Sequence, residues 1–164
     1  MVEEEFGLVL DLNKLWYEAT TIETLAPLVS SKSNAPENPY LVKIKPEGSR
    51  APLFVLHTIG GGNLFHYDAI IKLLNPDQPV YGLQARGVGE GKTAHTTVED
   101  LAAHCIEVMR EIVPEGPFLL CGFSSGGLVA YEMAQQLRSR GYDRLLLILI
   151  DSINPRLTDT LADF

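Results

Sequence analysis

The segment Phe118–Gly141, FLLCGFSSGGLVAYEMAQQLRSRG, holds the transition on which the fold turns. Its first five residues form an apolar run of strand length. Val129, Met133 and Leu137 then recur on one helical face, and Gly141 stands where a helix end takes a left-handed residue. Between strand and helix lies Gly122-Phe123-Ser124-Ser125-Gly126, a G-x-S-x-G pattern. A serine at the tip of so tight a turn sits in strained backbone geometry, so the residues two before and two after it must be small. The N–H of Ser125 and the positive end of the following helix would face a carbonyl oxygen as it becomes an oxyanion. Gly and Ser can also simply make a turn; the flanking strand and helix favour the nucleophile.

The same strand–loop–helix rhythm runs outward from this point. Leu53–His57 is a short apolar run meeting Gly60, Gly61 and Gly62, followed by a helix expected over 64–74 that closes at Asn75-Pro76. Pro79–Leu83 reads as a strand, then a Gly-rich charged loop extends through Lys92. Thr97 and Asp100 form a capping box for a helix in which Leu101, Cys105, Val108 and Ile112 share a face. Arg144–Ile150 is the most apolar strand. Runs apolar on both faces suit a parallel sheet covered by helices on each side, so the fold class is α/β.

Upstream the pattern differs. Glu3–Val29 reads as short helices, with Thr20 and Glu23 as a further capping box. Ser30–Pro39 (SSKSNAPENP) has linker composition. The expected organisation is therefore 1–30, a linker over 31–50, and an α/β unit over 51–164.

Composition excludes several classes. The 164 residues carry 13 Lys and Arg against 21 Asp and Glu, a formal charge of −8, which opposes nucleic-acid binding. No apolar run approaches the roughly 20 residues of a membrane helix. Met1–Glu5 is acidic, unlike a secretory leader. The two cysteines lie far apart with neither disulfide-scaffold nor zinc spacing, so no metal is expected. A cytoplasmic protein is the expectation.

Two further stretches bear on chemistry. Asp151 ends the last strand, 27 residues after Ser124, where functional side chains of doubly wound sheets collect. It suits the acid that orients a histidine, and equally an Asx-turn before Ser152-Ile153-Asn154-Pro155. The loop His57-Thr58-Ile59-Gly60-Gly61-Gly62 suits an oxyanion hole in which the Ile59 N–H joins that of Ser125. Gly91-Lys92-Thr93 mimics the end of a phosphate loop, but Arg86 stands where its first glycine belongs. Cys105 and Cys121, inside helix and strand, read as buried and inert.

A serine nucleophile needs a base, which in this motif's usual order follows the acid along the chain. His57, His66, His95 and His104 all precede Ser124. The triad is expected to be incomplete within this chain.

Four stretches in order, LFVLHTIGGG (53–62), VYGLQARG (80–87), CGFSSGGLVAYEMAQQL (121–137) and LLLILIDSINP (145–155), resemble the thioesterase domain that ends modular nonribosomal peptide and polyketide synthases. The resemblance runs from about Pro52 to Pro155. It implies an α/β-hydrolase fold, with Ser124 as acylated nucleophile, Asp151 as triad acid, and Ile59 and Ser125 as oxyanion donors. It also implies a substrate: an acyl or peptidyl chain in thioester linkage to a carrier's phosphopantetheine, released by hydrolysis or cyclisation. No cofactor is expected to bind directly. FGLVLDLNKLWYEATTIETLA (6–26) resembles the last third of a peptidyl carrier domain, with Thr20 where proline is usual and the attachment serine upstream of Met1. The implied partners are a carrier domain and upstream synthase modules, and the chain is expected to be an internal slice of such a synthase. A stand-alone editing thioesterase and a non-catalytic carrier-docking module are the other readings.

Overall fold

In a computed structural model, the residues described are 16–17, 21–24, 26, 38–58, 64–85 and 95–152. They form one sheet of five strands: β1 (Leu41–Lys45), β2 (Leu53–Leu56), β3 (Val80–Leu83), β4 (Phe118–Phe123) and β5 (Leu145–Ile150). Their order across the sheet is β1-β3-β2-β4-β5. β2, β3, β4 and β5 run parallel, and β1 pairs antiparallel with β3 through Leu41↔Leu83 and Val42↔Gly82.

Three helices connect the strands. A 3₁₀ turn (Phe65–Tyr67) leads into α1 (Asp68–Ile71) between β2 and β3; α2 (Val98–Arg110) and α3 (Gly126–Ser139) follow β3 and β4. The chain steps from β2 to β3 in one direction and from β3 past β2 to β4 in the other. Crossovers of a single hand then put α1 on one face and α2 with α3 on the opposite face. The side chains of β2 divide accordingly. Phe54 and Leu56 join Leu101, Ile106, Met109, Val129, Met133 and Leu137, while Leu53 and Val55 join Val42, Leu64, Tyr67 and Val80. All four β2 residues are buried, as a strand covered on both faces requires.

Several elements differ from expectation. The helix expected over 64–74 is one α-turn inside a tighter coil, because Leu73 and Leu74 bond back to Ile70 and Ile71, three residues earlier. Asn75 then accepts from the Asp77 N–H and turns the chain away. β1 lies within 31–50, a stretch read as linker without a strand; its five residues alternate as Leu41-Val42-Lys43-Ile44-Lys45, and pairing with β3 gives that alternation its meaning. β5, though the most apolar, is half-exposed at Leu146 (51%) and Leu149 (46%), since it is the outer strand among the described residues.

Helix ends follow their sequence signals. Thr97 Oγ1 accepts the Asp100 N–H at 3.1 Å, and Gly141 takes φ +87° just past the end of α3. Thr20 of the upstream capping box lies outside the described residues. One residue on, the hydroxyls of Thr21 and Thr24 each accept the other's backbone N–H.

Candidate active site

The parallel registers bring three strand ends to one edge of the sheet. Leu56 pairs with Gly122, and Phe123 with Ile150, so His57, Ser124 and Asp151 emerge together beyond β2, β4 and β5. This edge lies where β2 sends the chain away on one side and receives β4 on the other, the switch point at which doubly wound sheets open a crevice.

Ser124 has φ +52°, a left-handed conformation that costs a non-glycine residue about 1–2 kcal/mol. Its N–H donates to Ile150 O at 2.9 Å, and its own carbonyl accepts from Gly127 N at 3.0 Å. The elbow is thus tied to β5 on one side and to the first turn of α3 on the other. The motif's glycines are required by close backbone approach. A Cβ on Gly122 would lie 2.5 Å from Gly126 O, and one on Gly126 would lie 2.8 Å from both Leu56 O and His57 O. Ser125 immediately precedes α3 with helical angles, so its N–H belongs to the helix's positive end.

Asp151 also has positive φ, +46°, and is exposed directly after β5. Ser152 follows it with its hydroxyl 3.3 Å from both Gly122 O and Ile150 O, linking the ends of β4 and β5.

His57 is buried with both ring nitrogens engaged. Nε2 accepts the Ala85 N–H at 2.9 Å, which puts the proton on Nδ1, 2.8 Å from Thr58 O. Burial holds its pKa below the ordinary histidine value, the nearby His95 adds to that, and the Thr58 hydrogen bond opposes it. The ring therefore serves as a neutral tie between the start of the loop after β2 and the end of β3. Ile59 and Gly60–Gly62 lie outside the described residues, as do Gly91, Lys92 and Thr93. His66 packs on Phe123, the residue before Ser124, at 5.0 Å between centroids. His95 and His104 stack at 5.1 Å, with Tyr40 edge-on to His104.

Tyr67 went unmarked in the sequence. Its buried hydroxyl donates to Leu56 O at 2.7 Å and accepts the Phe123 N–H at 2.8 Å, bridging β2 to the residue before Ser124. Nothing in the sequence signals these partners, because both are backbone groups on other strands. Burial pushes the Cys105 thiol up to about 12 and the Cys121 thiol up to about 11, so neither is a thiolate near neutrality. Among the described residues no cluster of His, Cys, Asp and Glu could hold a metal ion, and no helix is long and apolar enough to cross a membrane.

Residues 51–161 match the thioesterase domain family model. The chain belongs to the thioesterase domain family. Relatives of this thioesterase domain sit in large synthetases. It is 39% identical over 152 residues to malpibaldin synthetase of Mortierella alpina and 34% identical over 151 residues to a dimodular nonribosomal peptide synthase of Bacillus subtilis. Each alignment covers 92% of this chain and only 3% and 6%, respectively, of the relative. Among solved structures, the four-domain nonribosomal peptide synthetase AB3403 aligns over 94% of this chain and 12% of its own, with TM-score 0.69 and 27% identity. The NocB thioesterase domain, in covalent complex with a fluorophosphonate nocardicin G analogue, aligns over 70% of this chain and 50% of its own, with TM-score 0.59 and 32% identity. The α/β-hydrolase fold expected of the resemblance is shared with these thioesterase structures.

Proposed function

We propose that this thioesterase domain releases an acyl or peptidyl chain from a carrier-bound phosphopantetheine thioester during nonribosomal peptide or polyketide synthesis. The observation that carries the proposal is Ser124, held left-handed between β4 and α3 and adjoining Asp151 at the end of the neighbouring strand. Ser124 Oγ attacks the thioester carbonyl carbon; a C–O bond forms, the C–S bond breaks, and the hydroxyl proton passes through a base to the departing thiol. Water then cleaves the ester to a carboxylic acid, or a nucleophile within the chain closes a ring; either regenerates Ser124. The N–H groups of Ser125 and Ile59 hold the oxyanion in both steps.

Asp151 orients the base, a histidine beyond the four of this chain. Both ring nitrogens of His57 are already bonded to backbone, which supports looking elsewhere. Residues 1–30 are the tail of a carrier domain, 31–50 a linker whose latter part contributes β1, and 51–164 the thioesterase portion. Trp16 and Tyr17 of that tail hydrogen-bond to Asp68, which is compatible with a carrier lying against this domain. The partners are that carrier and upstream synthase modules. Free, buried Cys105 and Cys121 suit a cytoplasmic location.

The test is release of free thiol from an acyl thioester. The chain alone should turn over slowly, and Ser124→Ala should remove what turnover there is. Fast turnover lost in Ser124→Ala would reject a base outside the chain. Turnover untouched by Ser124→Ala would reject the serine mechanism.

A further inference from the structure

We infer that Tyr67 is a positioning residue for acyl transfer: its hydroxyl sets the spacing between the nucleophile elbow and the strand that leads into the oxyanion loop. The inference rests on the reading of Ser124 as nucleophile.

Leu56 and Gly122 are the last paired positions of β2 and β4. Beyond them β2 runs into His57, Thr58 and the glycine loop, while β4 has one more residue, Phe123, before Ser124. The pairing of β2 with β4 stops there, next to Ser124. That strips the Leu56 carbonyl and the Phe123 N–H of ladder partners, and buried backbone groups left unpaired are costly. The Tyr67 hydroxyl fills the gap between them. It gives its one proton to Leu56 O at 2.7 Å and accepts from Phe123 N at 2.8 Å; Cys121 O stands further off at 3.5 Å.

The ring that carries the bridge is packed into the core. Tyr67 is 1% exposed and lies among Val55, Leu64 and Cys121 on the α1 face of the sheet. Burial raises its phenol pKa, so the proton needed for Leu56 O stays in place across the physiological range. Tyr67 sits in the short coil directly after the oxyanion loop, with its N–H bonded to Leu64 O at 3.0 Å. One side chain therefore couples three parts of the site: the strand end entering the loop, the coil leaving it, and the residue before the nucleophile. Misplacing reacting atoms by a fraction of an ångström is enough to slow a reaction severalfold while leaving binding intact.

The test uses an alkyl fluorophosphonate in imidazole buffer, where imidazole serves as a diffusible base. Ser124 Oγ bonds to phosphorus, fluoride leaves, and the proton goes to imidazole. Tyr67→Phe, which removes only the hydroxyl, is expected to lower the limiting labelling rate about tenfold with the half-saturating concentration unchanged. Val42→Ala, a cavity in the same apolar cluster away from the site, should lose stability and keep the limiting rate. Equal limiting rates for Tyr67→Phe and wild type, or an equal fall in Val42→Ala, would overturn the inference. Wild type that does not label, or Ser124→Ala that still does, would instead overturn the nucleophile reading and the inference with it. If Tyr67→Phe does not fold, amide exchange of wild-type Phe123 decides. Protection equal to that of Leu120 supports the bridge, and loop-like exchange refutes it.

Discussion

Ser124 and Asp151 occupy adjoining positions one step beyond the last paired residues of β4 and β5, Phe123 and Ile150, and both have left-handed backbone, φ +52° and +46°. They are the two non-glycine residues with positive φ among those described. Strained backbone of this kind persists only where the surrounding structure over-determines it, and such strain clusters at active sites and ligand clamps.

The strain at Ser124 makes a trade measurable. Ser124→Gly is expected to raise stability by about 1 kcal/mol, because glycine adopts φ +52° without the Cβ clash, and to abolish fluorophosphonate labelling. Thermal unfolding and labelling of the same preparation test both halves. A loss of stability would show that the serine side chain contributes more than its backbone costs.

The close approach at Gly126 should be far less forgiving than the left-handed turn at Gly141. A Cβ at 126 meets two backbone carbonyl oxygens at 2.8 Å, whereas one at 141 meets nothing within 4 Å. Gly126→Ala is expected to cost about 2–3 kcal/mol through displaced backbone. Gly141→Ala should cost only the roughly 1–2 kcal/mol of its positive φ. Urea unfolding of the two variants gives the comparison.

His57 gives the fold a pH dependence of known sign. Its folded pKa lies below that of the unfolded chain, so its stabilisation is complete above the unfolded value of about 6.5 and is lost as pH falls below it. His57→Leu leaves the Ala85 N–H without its acceptor and should cost about 1–3 kcal/mol at pH 7.5. The difference in unfolding free energy between wild type and variant should shrink from pH 7.5 to 5. A difference independent of pH would mean that His57 is not held neutral.

Trp16, the chain's one tryptophan, reports on the contact between the upstream segment and α1. Its indole Nε1 donates to Asp68 at 2.8 Å and its ring lies 4.4 Å from that of Phe65. The Tyr17 hydroxyl donates to the same carboxylate at 2.8 Å. Asp68→Ala should shift Trp16 emission to the red and raise its accessibility to acrylamide, with little change in the midpoint of global unfolding. An unchanged spectrum would show that the indole does not depend on Asp68.

The turn at residues 122–126 could be read from Phe118–Gly141 because its requirements are local. A strained turn between strand and helix restricts positions 122 and 126 to glycine through contacts made within a few residues, and that restriction is visible as G-x-S-x-G. Caps at Thr97 and Gly141 were legible for the same reason. β1 was not, since LVKIK between two prolines becomes a strand only by pairing with the distant β3, as at Leu41↔Leu83. The helix expected over 64–74 failed too: nothing local in the sequence showed its last turn tightening to three-residue bonds.

By itself the sequence determined β2 to β5, the two longer helices and the glycine-serine turn, because tight turns, caps and strongly patterned elements are governed by neighbours along the chain. It could not determine strand order, since any α/β alternation admits several. Only the tertiary structure put β4 beside both β2 and β5, and with that order came the adjoining positions of Ser124 and Asp151. The roles of His57 and Tyr67 were decided there as well. Each is a polar side chain whose partners are backbone groups on other strands, Ala85 for one and Leu56 and Phe123 for the other. A backbone N–H or carbonyl has the same chemistry at every residue, so no side-chain pattern could have announced those partners.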